Sequence, residues 1–329
     1  MKYLKSFLVC GFFLWGIAWA QTDCRPFNPD NTKIVDRGPV KTVTGLLADF
    51  DPCHRSVRLD TPTFFAKKRG DKPPLVIIAH GGAGLGGYER EFAKLMNQQG
   101  YATLIFDSFE MNGLTPFSDL LVYYLSNGGR QRMIYKATLG AYHWALKNDK
   151  IDASKIFIQG LSNGAAVAIN MAGTVDVANV RGVIAEGGPS AGIGFPDDIK
   201  VPLLLIYGLA DNYGGLQQDD WMHLRAMPCS FNDNYRSAPA GFTQACSRMS
   251  NPIDSMPSPQ SWYEITKAKG SDIRLELIEG GGHGMMFVDF TSSSRQLVGG
   301  RMFYRSQGAS ADTRQKLQKL ILDFIESKL

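Results

Sequence analysis

Ile156-Phe157-Ile158-Gln159-Gly160-Leu161-Ser162-Asn163-Gly164 joins an apolar run to a serine framed by two glycines. The apolar residues predict a buried strand, and the small and apolar residues from Asn163 to Ala172 predict a helix directly after it. A chain that passes from strand to helix in so few residues crowds its own backbone, and glycine fits where a Cβ would clash. Serine at the tip of such a turn is presented for chemistry. In a chain with 35 glycines the pattern also arises by chance, so its surroundings decide the reading.

Two further residues supply those surroundings. Val201-Pro202-Leu203-Leu204-Leu205-Ile206-Tyr207-Gly208 reads as a parallel strand buried on both faces, and Asp211 follows it. Ile273 to Ile278 reads as another strand, after which Glu279-Gly280-Gly281-Gly282 delivers His283. A serine hydroxyl is a poor nucleophile at neutral pH. An imidazole must take its proton, and a carboxylate must hold that imidazole in one tautomer. Ser162, Asp211 and His283, in that chain order and each after a strand, predict an α/β-hydrolase fold with a mostly parallel, doubly wound sheet. Leu75 to Ala79 is a strand leading into His80-Gly81-Gly82-Ala83, where that fold builds its oxyanion hole. The expected donors are the backbone N–H groups of Gly82 and Asn163, the latter at a helix N-terminus whose dipole favours an anion.

With these motifs in view, the chain resembles a secreted member of the dienelactone hydrolase family over roughly residues 60 to 329. The resemblance rests on Leu75 to Gly82, Gly100 to Phe109, the serine turn, Asp211, His283 and an amphipathic helix near Thr313 to Leu329. The family's founding enzymes carry cysteine where Ser162 stands and a glutamate near the position of Gly81, which turns the expectation from lactone opening to ordinary ester hydrolysis. No cofactor or metal is expected.

Gly82-Ala83-Gly84-Leu85-Gly86-Gly87 also spells the dinucleotide fingerprint between a strand and a helix, with Asp107 about twenty residues on. Against it, the bulky or charged Tyr88, Glu89, Arg90 and Glu91 follow the last glycine, where that fold packs its helix closely with small residues.

The 329 residues, 44% of them hydrophobic, suit a single domain with a large core. Lys2 and Lys5 before the apolar run Phe7 to Trp19, with Ala18-Trp19-Ala20 after it, predict a signal peptide over 1–20 and a mature domain over 21–329. A periplasmic or secreted protein with no stable membrane insertion after cleavage follows; the alternative is an uncleaved anchor, for which the stretch is short. Cys10 lacks the small residue expected just before a lipid-attachment cysteine. The formal charge of +4 falls to +2 when Lys2 and Lys5 are lost, and no basic run suggests nucleic acid. Cys24, Cys53, Cys229 and Cys246 remain, an even set for which two disulfides are expected; proximity favours Cys24 with Cys53 and Cys229 with Cys246 among three connectivities.

Residues 21 to about 55 read as an extended lead-in, with the core beginning near Ser56. Strands at 75–79, 102–107, 156–159, 182–185 and 201–206 alternate with helices at 88–99, 130–147 and 163–172. About fifty residues without a strong period, 212–262, follow the acid strand and read as an inserted lid rich in aromatics and proline. The lid either forms part of the substrate pocket or decorates the surface.

Among the remaining candidates, His80 is a rival base read as structural, and His54, His143 and His223 read as satisfied structural histidines. Asp219, Asp220 and Asp289 are rival acids read as solvated charges. Glu186, at the end of another strand, either lines the pocket or serves as an alternative acid. The expected activity is cleavage of a small-molecule carboxylic ester through an acyl-enzyme. A serine peptidase or amidase on the same fold and a non-catalytic binding protein are the alternatives.

Overall fold

The computed structural model describes residues 32–37, 40–45, 47–62, 66–67, 69–114, 127–190, 192–213, 258–296 and 302–329. The expected signal peptide, Cys24, Cys229, Cys246 and nearly all of the expected lid lie outside them, and with them the two disulfide pairings. Among the described residues no helix is long and apolar enough to cross a membrane.

The elements run β1 (Thr32–Arg37), β2 (Val40–Gly45), β3 (Arg58–Asp60), β4 (Pro74–Ala79), α1 (Gly87–Gln98), β5 (Ala102–Ile105), α2 (Ser108–Met111), α3 (Asn127–Ala145), β6 (Asp152–Leu161) and α4 (Asn163–Thr174). There follow β7 (Val180–Glu186), β8 (Leu203–Gly208), α5 (Pro259–Ala268), β9 (Ile273–Ile278), β10 (Thr291–Gln296), β11 (Met302–Gln307) and α6 (Ala311–Glu326). Seven strands form one sheet in the order β3-β5-β4-β6-β7-β8-β9. All neighbours are parallel except the β3–β5 edge pair.

Its central strands are apolar on both faces because both faces are covered. Leu75, Ile77 and Ala79 of β4 join one core with Ile156 and Ile158, Val183 and Ala185, and Leu203 and Leu205. Met133, Ile134, Ala137 and Ala141 of α3 close this layer with Ala165 and Val167 to Ile169 of α4. The intervening residues Val76, Ile78, Phe157, Ile184, Leu204 and Ile206 point the other way, onto Phe92 and Met96 of α1 and Leu317, Ile321 and Phe324 of α6. The uninterrupted apolar runs thus split into two cores with the period of two that a strand imposes.

Several features differ from the sequence expectation. The lead-in carries the antiparallel β1–β2 pair, and its end already belongs to the core: Ala48 is buried, and the Phe50 ring meets Phe106 edge-on at 5.5 Å between centroids. Helix α3 begins three residues earlier than expected. After His283 the chain forms the antiparallel β10–β11 hairpin, which the polar stretch Thr291 to Gln296 did not announce.

Candidate active site

Ser162 sits between β6 and α4 with φ 57° and ψ −121°, and among the described residues it is the one non-glycine with positive φ. That backbone conformation is disfavoured for a residue with a Cβ and persists only where its surroundings enforce it. The surroundings are the two glycines. A Cβ on Gly160 would stand 2.1 Å from the Gly164 carbonyl oxygen, and one on Gly164 would stand 2.2 Å from that of Ala79. The G-x-S-x-G spacing is therefore dictated by backbone-to-backbone contact, with Ser162 N–H tied to Glu186 O at 2.9 Å.

Asp211 lies three residues past β8, and the buried His283 lies five residues past β9; His283 Nδ1 and Asp211 Oδ2 are 2.8 Å apart. The aspartate accepts a hydrogen bond from Nδ1–H, which leaves Nε2 as the basic nitrogen. Asp211 Oδ1 accepts from Tyr213 N–H at 3.1 Å, and the Tyr213 ring stacks on the imidazole at 4.7 Å. Gly187, with φ +62°, passes beneath the pair; a Cβ there would press on both His283 Nδ1 and Asp211 Oδ2.

The glycine run before His283 serves close approach. A Cβ on Gly281 would meet the Met285 sulfur at 2.4 Å, and one on Gly282 would meet the β11 backbone at 2.7 Å. His283 is held by β11 and the residue after it, since His283 N–H donates to Ser306 O and Gly308 N–H donates to His283 O. Asn212, beside the acid, accepts from Ser306 N–H at 2.7 Å.

Gly82 lies against the serine turn: a Cβ on it would meet Asn163 Nδ2 at 2.5 Å. Among the described residues the N–H groups of Gly82 and Asn163 donate to no protein acceptor. The loop around them is fixed by Glu89, a buried side chain of α1 whose carboxylate accepts from Gly81 N–H and Gly86 N–H at 3.0 and 2.9 Å. Asp107 accepts from Leu85 N–H at 3.1 Å. The N–H of Gly86 within the fingerprint, and that of Gly81 just before it, are thus consumed by Glu89 and are not free to bind a pyrophosphate. The dinucleotide reading of Gly82 to Gly87 fails on this ground. Glu89 stands three residues after Gly86, a capping spacing legible in the sequence.

His80 Nε2 accepts from Ser108 N–H at 3.1 Å, so Nδ1 carries the proton and donates to Gly81 O at 2.8 Å. Both ring nitrogens shape the loop, as expected of a structural histidine. Asp289 pairs with Arg314. Glu186 accepts from Met285 N–H at 2.7 Å and from the Tyr88 hydroxyl. Desolvation pushes its pKa up to about 7, with a smaller upward contribution from Asp211.

Arg130, at the start of α3, was not singled out in the sequence. Its Nη1 lies 3.6 Å from the position a Cβ on Gly82 would take, and its Nε is shielded from solvent with no hydrogen-bond partner among the described residues. Burial lowers the pKa of its guanidinium, partly offset by Tyr213.

No protein-family model and no curated protein matches this chain. Solved structures do. A Klebsiella pneumoniae subsp. pneumoniae protein assigned as a dienelactone hydrolase is 13% identical, with a TM-score of 0.52 over 83% of this chain and 99% of its own. The uncomplexed acylaminoacyl peptidase of Pyrococcus horikoshii is 18% identical, with a TM-score of 0.51 over 91% of this chain but only 41% of the peptidase. This chain therefore spans less than half of the peptidase's length. Taken with the seven-stranded sheet and its order of turns, these likenesses show that the chain has the α/β-hydrolase fold.

Proposed function

We propose that this chain is a serine hydrolase that cleaves carboxylic esters through an acyl-enzyme, resembling the dienelactone hydrolases in fold and differing from their founders in its nucleophile. The observation that carries the reading is the buried His283–Asp211 pair at 2.8 Å, set beside a fold whose turn holds Ser162 at positive φ. In this reading Ser162 Oγ attacks the ester carbonyl while His283 Nε2 takes its proton. Asp211 stabilises the imidazolium and keeps its tautomer, and the N–H groups of Gly82 and Asn163 receive the developing oxyanion. His283 returns the proton to the leaving alcohol, and the cycle repeats with water as nucleophile to release the acid. An amide leaving group uses the same steps, and the likeness to acylaminoacyl peptidase keeps a peptidase as the second reading.

Arg130 narrows the substrate. A partly buried guanidinium with no counter-ion among the described residues costs stability unless a ligand supplies one. We assign it to an anionic group of the substrate close to the scissile carbonyl. Export, suggested by Lys2, Lys5 and the apolar run after them, would make that substrate an extracytoplasmic one.

Fluorophosphonate labelling of wild type and Ser162→Ala tests the nucleophile, and labelling that survives the substitution would refute it. Paired p-nitrophenyl acetate and p-nitrophenyl hemisuccinate, with the matching anilides, test the substrate class. The hemisuccinate is expected to be preferred, and Arg130→Gln is expected to remove most of that preference. Anilide turnover at the ester rate would favour the peptidase.

A further inference from the structure

Glu186 is a buried carboxyl that the proposed chemistry does not use, yet it touches every moving part of it. Its backbone oxygen accepts from Ser162 N–H at 2.9 Å. Its Oε1 accepts from Met285 N–H at 2.7 Å, two residues past the base, and its other oxygen takes the hydroxyl of Tyr88 on α1. The same helix carries Glu89, whose carboxylate ties down Gly81 and Gly86 in the oxyanion loop. Gly187, the next residue, donates to Ile206 O on the acid strand and underlies the His283–Asp211 pair. The nucleophile turn, the base loop, the acid strand and the oxyanion-loop helix therefore meet at one side chain and its adjoining peptide.

We propose, resting on the hydrolase reading above, that Glu186 is a positioning residue: it sets His283 relative to Ser162, and its negative charge supports the imidazolium that forms during proton transfer. Acting through Met285 N–H fixes the loop two residues from the imidazole. A carboxylate accepts this bond more strongly than a neutral carboxyl does. The titratable groups that act on it are Tyr88 on α1 and Asp211 after β8. Tyr88 is held well above the usual phenol range, by burial and then by Glu186, so it stays protonated as the donor. Asp211 disfavours a second negative charge, and the pKa of about 7 at Glu186 places its ionisation within the working range.

In Glu186→Gln the amide oxygen keeps the bond from Met285 N–H, and its NH₂ donates to Tyr88. The Tyr88 hydroxyl can then turn to Gln159 Oε1, which has no hydrogen-bond partner among the described residues. This variant conserves the shape and removes the charge, whereas Glu186→Ala removes the link. The experiment compares wild type, E186Q and E186A on p-nitrophenyl acetate and by the rate of fluorophosphonate labelling from pH 5.5 to 8.5.

For E186A, kcat is expected to fall about 10- to 100-fold with KM within about twofold, matching the typical weight of positioning in acid–base catalysis. E186Q is expected to recover most of the rate near pH 6 and to fall progressively behind wild type above pH 7, by about three- to tenfold. A wild-type to E186Q ratio constant across the range would overturn the proposal, even where E186A fails to fold, because E186Q alone reads the charge. Loss of melting temperature in both variants with kcat intact would overturn it too. A wild type that neither turns over ester nor labels would instead remove the hydrolase reading on which the proposal rests.

Discussion

The Ser162 side and the His283 side of the site are built in opposite ways. Ser162 is placed by its immediate neighbours, with β6 and α4 contiguous through it and two glycines relieving the contacts that the turn creates. His283 is placed by strangers: Asp211 is 72 positions away, Met285 is anchored by Glu186 at a separation of 99, and Ser306 on β11 is fixed by Asn212 at a separation of 94. A local device withstands distant changes and fails when its own backbone contacts are disturbed. A device assembled from remote segments tolerates local change but depends on each cross-link.

The largest expected effect falls on the local side. Ser162→Ala is expected to lower ester turnover by at least ~10⁴-fold, since the remaining site offers only binding and oxyanion donors. Its melting temperature should stay near that of wild type, which differential scanning fluorimetry would check. Residual activity within tenfold of wild type would show that the strained serine is not the nucleophile. Gly160→Ala is the structural counterpart, because the new Cβ would lie 2.1 Å from backbone that no rotamer change can move. It should cost more than about 3 kcal/mol or prevent folding, in the range of severe overpacking. By contrast Gly280→Ala, at φ +67° with nothing within 4 Å of the new Cβ, should cost only the backbone term of about 1 kcal/mol. Equal losses at the two glycines in urea unfolding would contradict the account of the motif.

The His283 side also carries a pH signature. Glu186 has a native pKa of about 7 against an ordinary 4.5, the first cause being burial. The native state therefore holds this proton more tightly than the unfolded chain does. The stabilisation is complete below about pH 4.5 and is lost as pH rises through about 7. E186Q lacks this titration. Its stability relative to wild type should accordingly rise between pH 4.5 and 7 by up to roughly 3 kcal/mol, measured by urea midpoints at matched pH. A difference that does not change over the window would mean that the carboxyl is not protonated preferentially in the native state.

The same contrast explains what could be read from the sequence. The turn around Ser162, the acid after a buried strand and the parallel sheet were all legible, because each is written in a short run: apolar strands, flanking glycines, the order Ser, Asp, His. The edge strand Arg58–Asp60 and the β10–β11 hairpin were not. Arg58–Asp60 is too short to show a pattern and is a strand by its pairing with β5 far along the chain, while Thr291–Gln296 is too polar to read as a strand without its pairing to β11. Glu186 was legible as a residue of interest and not as a role, since its partners Tyr88 and Met285 share no sequence spacing with it. Arg130 gave no signal, because an arginine near a helix start usually faces water. Glu89 did carry one, its three-residue spacing from Gly86, but the glycine-rich run before it drew attention to a cofactor.

The smallest effect tests the weakest-looking cross-link. Asn212 is adjacent to the acid and buried, and its Oδ1 is the acceptor for Ser306 N–H, whose own carbonyl holds His283 N–H. The acid loop and the base loop are thereby joined a second time, through β11, independently of the carboxylate–imidazole bond. Asn212→Ala removes the acceptor and leaves a buried N–H unpaired, at a cost of about 1–3 kcal/mol. The catalytic consequence should be smaller than for E186A, about three- to tenfold in kcat with KM unchanged, because Asp211 still holds the imidazole directly. Asn212→Asp keeps the acceptor and should restore the stability lost by alanine while placing a second charge beside Asp211. The double variant N212A/E186A decides between one shared support and two separate ones. Losses in kcat that multiply would show that the His283 loop rests on two independent struts, whereas a double variant no worse than E186A alone would show that Asn212 and Glu186 act through one shared support.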